Sequence, residues 1–183
     1  MKTNLAICSL ISCLTLACGS VNNVADNNAA TGASVVKNNA PLGCTIQTNN
    51  GRYLTAVGGG GRTTDALHSD AVRVGGWEKF MLIDSGDGSS VINYGIKTMS
   101  GHYLTAVGGG GRISDVIHSN ATQLHAWEKF ALHSLGGGLY AIKTINGRYL
   151  TAVGAGGRIT DVIHSDATAV NAWEKFRVTC GHP

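Results

Sequence analysis

Three sets of polar residues in this chain have types and spacing suited to chemistry. They are Arg62, Asp65, His68, Ser69 and Asp70; Arg112, Asp115, His118, Ser119 and Asn120; and Arg158, Asp161, His164, Ser165 and Asp166. Each set supplies hydrogen-bond donors and acceptors within nine consecutive residues, next to a glycine-rich stretch whose backbone can approach a ligand closely. Rigid paired donors and acceptors beside a flat apolar surface are what a sugar site requires. The flat surface has its own candidates in Trp77, Trp127 and Trp173, because an indole face stacks on the CH face of a pyranose. A purely structural reading fits the same residues. Asp65 would cap the glycine-rich turn, and Arg62 would pair with Asp65 or Glu78. Both readings stand at the level of sequence. Asn120 replaces the aspartate of the other two copies, so a ligand site in the second copy is expected to be the weaker one.

Other chemistries fit less well. Residues 58–61 are glycines followed by Arg62, without the Lys-Ser/Thr ending of a phosphate loop and with no helix after them. His68, Ser69 and Asp70 are triad residue types, but strand neighbours point to opposite faces and cannot relay a proton. The three histidines fall in separate hairpins, so a shared metal is not expected. No pair of carboxylates is placed for glycoside cleavage. The expectation is therefore a non-enzymatic protein without metal or cofactor.

The elements that hold these residues follow from internal repetition. The copies begin at Gly51, Gly101 and Gly147, and in each one the tryptophan follows the glycine by 26 residues. The steps between copies are 50 and 46 residues. The extra four fall between Phe80 and Ile96, in a stretch beginning Asp84-Ser85-Gly86-Asp87-Gly88. Each copy resolves into four short strands. The first alternates, with Tyr94 and Ile96 on one face, as Tyr140 and Ile142, and Cys44 and Ile46 in the other copies. The second covers residues 53–57, the third 66–69 and the fourth 80–82, with their equivalents. Asn50-Gly51 and Asn146-Gly147 are hairpin signals. Leu54, Ala56, Leu67, Phe80 and their copies are the expected core; Tyr53, Tyr103 and Tyr149 are expected to pack on it. The tryptophans are open to two readings. Strict alternation from Phe80 turns Trp77 outward, and a bend before the strand would fold it under the barrel.

Twelve strands in three units lack the capping ends of a solenoid, whereas closure into a barrel removes the edges. The fold class expected is all-β, a β-trefoil of twelve strands in three pseudo-symmetric repeats, about 44–90, 91–138 and 139–180. A three-bladed propeller is the weaker alternative.

The remaining residues read as delivery. Lys2 precedes an apolar run over residues 5–18, too short to span a bilayer comfortably, which reads as a signal peptide over residues 1–17. Leu14-Thr15-Leu16-Ala17-Cys18 resembles a bacterial lipobox, which would place lipid on Cys18. Thr15 departs from the usual leucine, and simple cleavage or a second box ending at Cys13 are the alternatives. Residues 18–43, rich in Asn, Ala, Gly and Ser, form the expected flexible tether, and 44–183 the domain. The expected address is the cell envelope, as an outer-membrane lipoprotein, or secretion. Cys44 and Cys180 bracket the repeats, and in an exported chain that placement suggests a disulfide. A formal charge of +3 is too small to suggest nucleic acid. Membrane contact is expected through a lipid alone, and the chain is expected to be a monomer.

The pattern Gly-x-Tyr-Leu-Thr-Ala, a glycine-rich turn, then Trp77-Glu78-Lys79-Phe80 and its copies resembles the fascin-like trefoil repeat over about residues 44–180. The resemblance implies a trefoil and a buried role for the tryptophans. Bacterial members look like carbohydrate-associated modules, while the eukaryotic namesake bundles actin. Leu67-His68-Ser69-Asp70-Ala71 departs from the actin-bundling form and looks more like modules appended to secreted glycoside hydrolases. The ricin-type Gln-x-Trp marker is absent, so those sugar sites are not carried over. Two functions follow as expectations. One is a multivalent lectin-like module with up to three glycan sites. The other is a protein-interaction module docking a partner through one face, with the unique stretch around residues 84–94 as its asymmetric patch.

Overall fold

A computed structural model describes residues 42–88 and 91–181. The expected signal peptide, Cys18 and most of the expected tether lie outside the described residues. Twelve strands follow one another: β1 (Leu42–Gln47), β2 (Tyr53–Ala56), β3 (Leu67–Ala71), β4 (Phe80–Asp84), β5 (Asn93–Thr98), β6 (Tyr103–Ala106), β7 (Ile117–Ala121), β8 (Lys129–Gly136), β9 (Leu139–Thr144), β10 (Tyr149–Ala152), β11 (Ile163–Ala167) and β12 (Phe176–Cys180). The first strand starts two residues before the boundary read from sequence, so Leu42 and Gly43 belong to the barrel. The second strand of each copy stops at its alanine. Val57, Val107 and Val153 instead open short 3-10 turns, because the glycines that follow adopt positive φ and break the ladder.

Pairing closes a ring. β1 pairs β4, β4 pairs β5, β5 pairs β8, β8 pairs β9, β9 pairs β12 and β12 returns to β1, every pair antiparallel. The other six strands form three hairpins, β2–β3, β6–β7 and β10–β11, with the same register slip in each. Two barrel strands and one capping hairpin from each of three copies make a β-trefoil.

Period-two alternation dictates the core. Phe80, Phe130 and Phe176 are fully buried, and Ile46, Ile96 and Ile142 nearly so, one of each from every copy. Leu54, Leu104 and Leu150 join them, while Ile117 is only partly buried against the same cluster. Of the tyrosines, Tyr103 is buried and Tyr53 and Tyr149 are half-buried. Lys97 and Lys143 place their ammonium groups 5.0 and 5.4 Å from the Tyr103 and Tyr149 rings.

Buried serines clasp the copies together in a cycle. Ser119 is fully buried; its amide donates to the Arg62 carbonyl at 2.8 Å, and its carbonyl accepts from Gly61 N at 2.6 Å. Its hydroxyl also accepts from Arg62 N at 3.3 Å. Ser165 makes the same contacts with Arg112 and Gly111, and Ser69 with Arg158 and Gly157. The first copy thus holds the second, the second the third, and the third the first. Ser119→Ala keeps the backbone bonds but strands the Arg62 amide, so a loss of about 1–2 kcal/mol is expected in urea unfolding. An unchanged midpoint would show that the hydroxyl contributes nothing.

The copies differ most between β4 and β5. There Asp84 Oδ1 accepts from Gly86 N at 2.9 Å, and Asp87 Oδ2 accepts from Asn93 Nδ2 at 3.0 Å while pairing with Lys129 Nζ at 3.5 Å. The turn is tied to the second copy rather than merely projecting from the first.

Candidate functional site

Each glycine-rich turn ends on an arginine and, three residues later, an aspartate with left-handed backbone: φ is 50° at Asp65 and 49° at Asp115 and Asp161. Aspartate tolerates this region better than most residues because its short carboxylate bonds locally. The turn aims that carboxylate back across itself. Asp65 Oδ1 lies 2.7 Å from His68 Nε2, and Oδ2 lies 3.3 Å from an Arg62 terminal nitrogen. Arg62 Nε donates to the Thr64 carbonyl at 3.2 Å. The second and third copies repeat the arrangement. His118 and His164 each sit 2.7 Å from their aspartate, while Arg112 and Arg158 pair at 3.6 and 3.4 Å. Of the two partners expected for Arg62, it takes Asp65.

Glu78 is engaged elsewhere. It is buried, accepting from Thr55 Oγ1 at 2.8 Å through Oε1 and from Gly75 N at 2.7 Å through Oε2. Glu128 and Glu174 do the same for Thr105 and His125 N, and for Thr151 and Asn171 N. These carboxylates brace the approach to β4, β8 and β12.

Three members of each predicted set therefore come together, and two do not. Ser69, Ser119 and Ser165 face inward as clasps. Asp70, Asn120 and Asp166 are exposed on the opposite side of β3, β7 and β11, as alternation requires, apart from the hydrogen bonds of the triplet.

The tryptophans correct the expectation drawn from family resemblance. Trp77, Trp127 and Trp173 are 52%, 49% and 46% exposed, not buried. Phe80 and Glu78 are buried, whereas Trp77 stands on the turn before β4, a 3-10 turn over Ala126–Glu128 in the second copy, and that turn leaves the indole outside. The indole is nevertheless seated: a Cβ placed on Gly59 would meet the Trp77 ring at 3.5 Å. A Cβ on the preceding glycine would meet the arginine instead, at 3.9 Å from Arg112 at Gly108 and 3.8 Å from Arg158 at Gly154. The arginine side chain thus packs at the first glycine of the turn in the second and third copies, and the indole at the second glycine in the first copy.

Sequence reading missed the groups that hold each turn from the next copy. Ser100 Oγ donates to the Gly59 carbonyl at 2.6 Å, Asn146 Nδ2 to the Gly108 carbonyl at 3.0 Å, and Asn50 N to the Ala155 carbonyl at 3.2 Å. Their signal was present as a polar residue just before each repeat glycine, but it reads equally well as ordinary hairpin chemistry. Among the described residues no group of three or more His, Cys, Asp or Glu is placed to hold a metal ion. No helix among them is long and apolar enough to cross a membrane.

No protein-family model matches the chain, and no curated protein matches it either. Solved structures do. The agglutinin of Rhizoctonia solani is 16% identical with a TM-score of 0.62, covering 80% of this chain and 100% of its own. A designed threefold-symmetric protein, ThreeFoil, is 15% identical at 0.60, covering 75% and 96%. SeviL, solved with an asialo-GM1 saccharide, is 14% identical at 0.56, covering 78% and 100%. At these identities the likeness concerns the trefoil fold.

Proposed function

We propose that this chain is a non-catalytic, multivalent carbohydrate-binding module with one weak site on the glycine-rich turn of each copy. The observation that carries this reading is the half-exposed indole repeated in every copy, which in the first copy lies 3.5 Å from the Cβ position of Gly59, where the barrel has no packing use for it. A pyranose stacked on Trp77 would present its hydroxyls to the turn. Arg62, Asp65 and His68 are the proposed polar contacts, with Asp70 at the margin. Arg112, Asp115, His118 and Asn120 serve the second site, and Arg158, Asp161, His164 and Asp166 the third. An ionised carboxylate offers about four acceptor positions, and the internal pairs of Asp65 use two. Three weak sites on one rigid body gain avidity on a repeating glycan. The SeviL saccharide complex and the Rhizoctonia agglutinin support the reading by name. Export through residues 1–17 and lipid attachment at Cys18 complete it, placing the module at the cell envelope. The asymmetric turn between β4 and β5, tied down by Asp87, favours the second reading, a protein partner docked there.

A glycan array probed with residues 19–183, followed by calorimetric titration of hits, tests the proposal. Two or three equivalents are expected. Each of Trp77→Ala, Trp127→Ala and Trp173→Ala should remove one site, weakening it at least about tenfold. His68→Ala, His118→Ala and His164→Ala should weaken binding stepwise. An array blank across plant, bacterial and host glycans would overturn the sugar reading in favour of the protein partner.

A further inference from the structure

Three equivalent segments, residues 63–67, 113–117 and 159–163, line one cavity of about 560 Å³. Because each copy contributes the same stretch, the cavity sits on the pseudo-threefold axis, in the middle of the hairpin cap. None of the three indoles lines it, although it shares Asp65, Asp115 and Asp161 with the proposed glycan sites. Its volume falls within the roughly 300–1,000 Å³ of small-molecule sites, which are mostly apolar with a few convergent polar groups.

The lining has that composition. Ala66, Val116 and Val162, all buried, provide apolar surface from each copy. Ile113 and Ile159 stand on the wall, 61% and 55% exposed. The barrel core gains nothing from β-branched apolar residues held this far into solvent. The first copy has Thr63 there, so the wall is apolar on two sides and polar on the third. Thr64, Ser114 and Thr160 add hydroxyls, and Asp65, Asp115 and Asp161 add carboxylates. Each carboxylate already faces a guanidinium and an imidazole. Each rim carboxylate is thus paired with an arginine, at 3.3, 3.6 and 3.4 Å, which offsets its charge, while carboxylate lone pairs remain open to a hydroxyl.

We infer that this axial bowl binds one small uncharged molecule per chain, with an apolar ring seated against the valines and isoleucines and a hydroxyl donating to the aspartate rim. No residue of β1 lines the bowl. β1 enters at Leu42, beside β4, and reaches the hairpin cap only at Gln47, which pairs with Tyr53.

The test is a titration of the isotope-labelled protein with phenol and cyclohexanol, followed through the methyl signals of Val116 and Val162. Benzoate and benzylamine serve as charged counterparts. Saturable shifts with one equivalent of either neutral probe, and affinity at least about tenfold weaker for both charged ones, are expected. The double variant Ile113→Asp/Ile159→Asp changes two exposed positions and should keep the fold, seen in an unchanged circular dichroism spectrum, while abolishing the shifts. The variant lacking all three tryptophans should retain them, which separates this site from the glycan sites. The inference is overturned by any of three results: no saturable shift at the solubility limit of the neutral probes, equal binding of benzoate or benzylamine, or concentration-dependent dimerisation through the bowl in sedimentation.

Discussion

Replacing Cys44 and Cys180 together with alanine will lower the unfolding free energy by about 3–5 kcal/mol, more than any single polar contact in the molecule. The two cysteines are bonded across β1 and β12, the seam where the chain closes its barrel. They are separated by 136 residues, and a loop of that length is costly to close in the unfolded chain: the chain-closure estimate is about 5 kcal/mol, with real proteins often showing less. The same pair also has a packing role, because Cys44 is buried in the hydrophobic cluster. Equilibrium urea unfolding of the oxidised protein and of the double variant measures the difference. The expected variant still folds into the same barrel but with a much lower midpoint. A midpoint within error of the parent would mean that the six-strand ring holds its seam without a covalent link.

Gly156→Ala is expected to be nearly as damaging, at about 3–5 kcal/mol, and to be so for a reason no hydrophobic pattern reveals. Gly156 has φ of 101° and ψ of −172°, a region essentially closed to residues with a Cβ at about 1–3 kcal/mol each. In addition, the new Cβ would meet Thr48 Cβ at 2.6 Å, and forced overpacking of this kind costs about 1–3 kcal/mol more. Thr48 cannot step aside cheaply, since its hydroxyl is bonded to Asn50 at 2.8 Å and to the Arg52 carbonyl at 3.1 Å. Gly110, which meets Thr144 Cβ at 2.8 Å, should respond in the same way. Gly58 provides the control: nothing lies within 4 Å of its Cβ position, so Gly58→Ala should cost only about 1–2 kcal/mol for the left-handed backbone. Thermal unfolding of the three variants side by side checks the order. Equal losses at Gly58 and Gly156 would show that backbone strain alone, without the threonine contact, sets the cost.

These two predictions bear on the sites as well as on stability. In the first copy the glycine-rich turn packs on the Trp77 indole at Gly59, and each such turn is anchored in the next copy. A variant that loosens the turn should therefore weaken glycan binding even though it removes no contact to sugar. Loss of binding in Trp77→Ala with unchanged unfolding separates recognition from architecture. The same comparison is less clean for His68, because its bond to Asp65 belongs to the turn itself.

Much of this protein is legible in one dimension. Repetition gave the number of units, alternation gave the strands and the inward Phe80, Ile96 and Leu54 sets, and glycine placement marked the turns. The Cys44–Cys180 pair followed from its position at both ends of the repeats. These inferences succeed because each rests on local backbone preference or on a side chain having only two faces to choose from. The tryptophans are open to two readings in sequence, and the structure places them outward, against the buried role that the family resemblance implied, on a turn where strand alternation does not decide the matter. Only the tertiary structure decided which groups the polar residues would meet. Ser69 finds Arg158 at a separation of 89 residues, and Ser119 finds Arg62 at 57, so no spacing within a repeat announces either pairing. Asp65 and Asp70 look equivalent in sequence, yet one lines the axial cavity and the other stands outside it. That cavity belongs to no single copy: it exists because closing the barrel brings three equivalent turns around one axis, and an axis is a property of the assembled ring rather than of the chain.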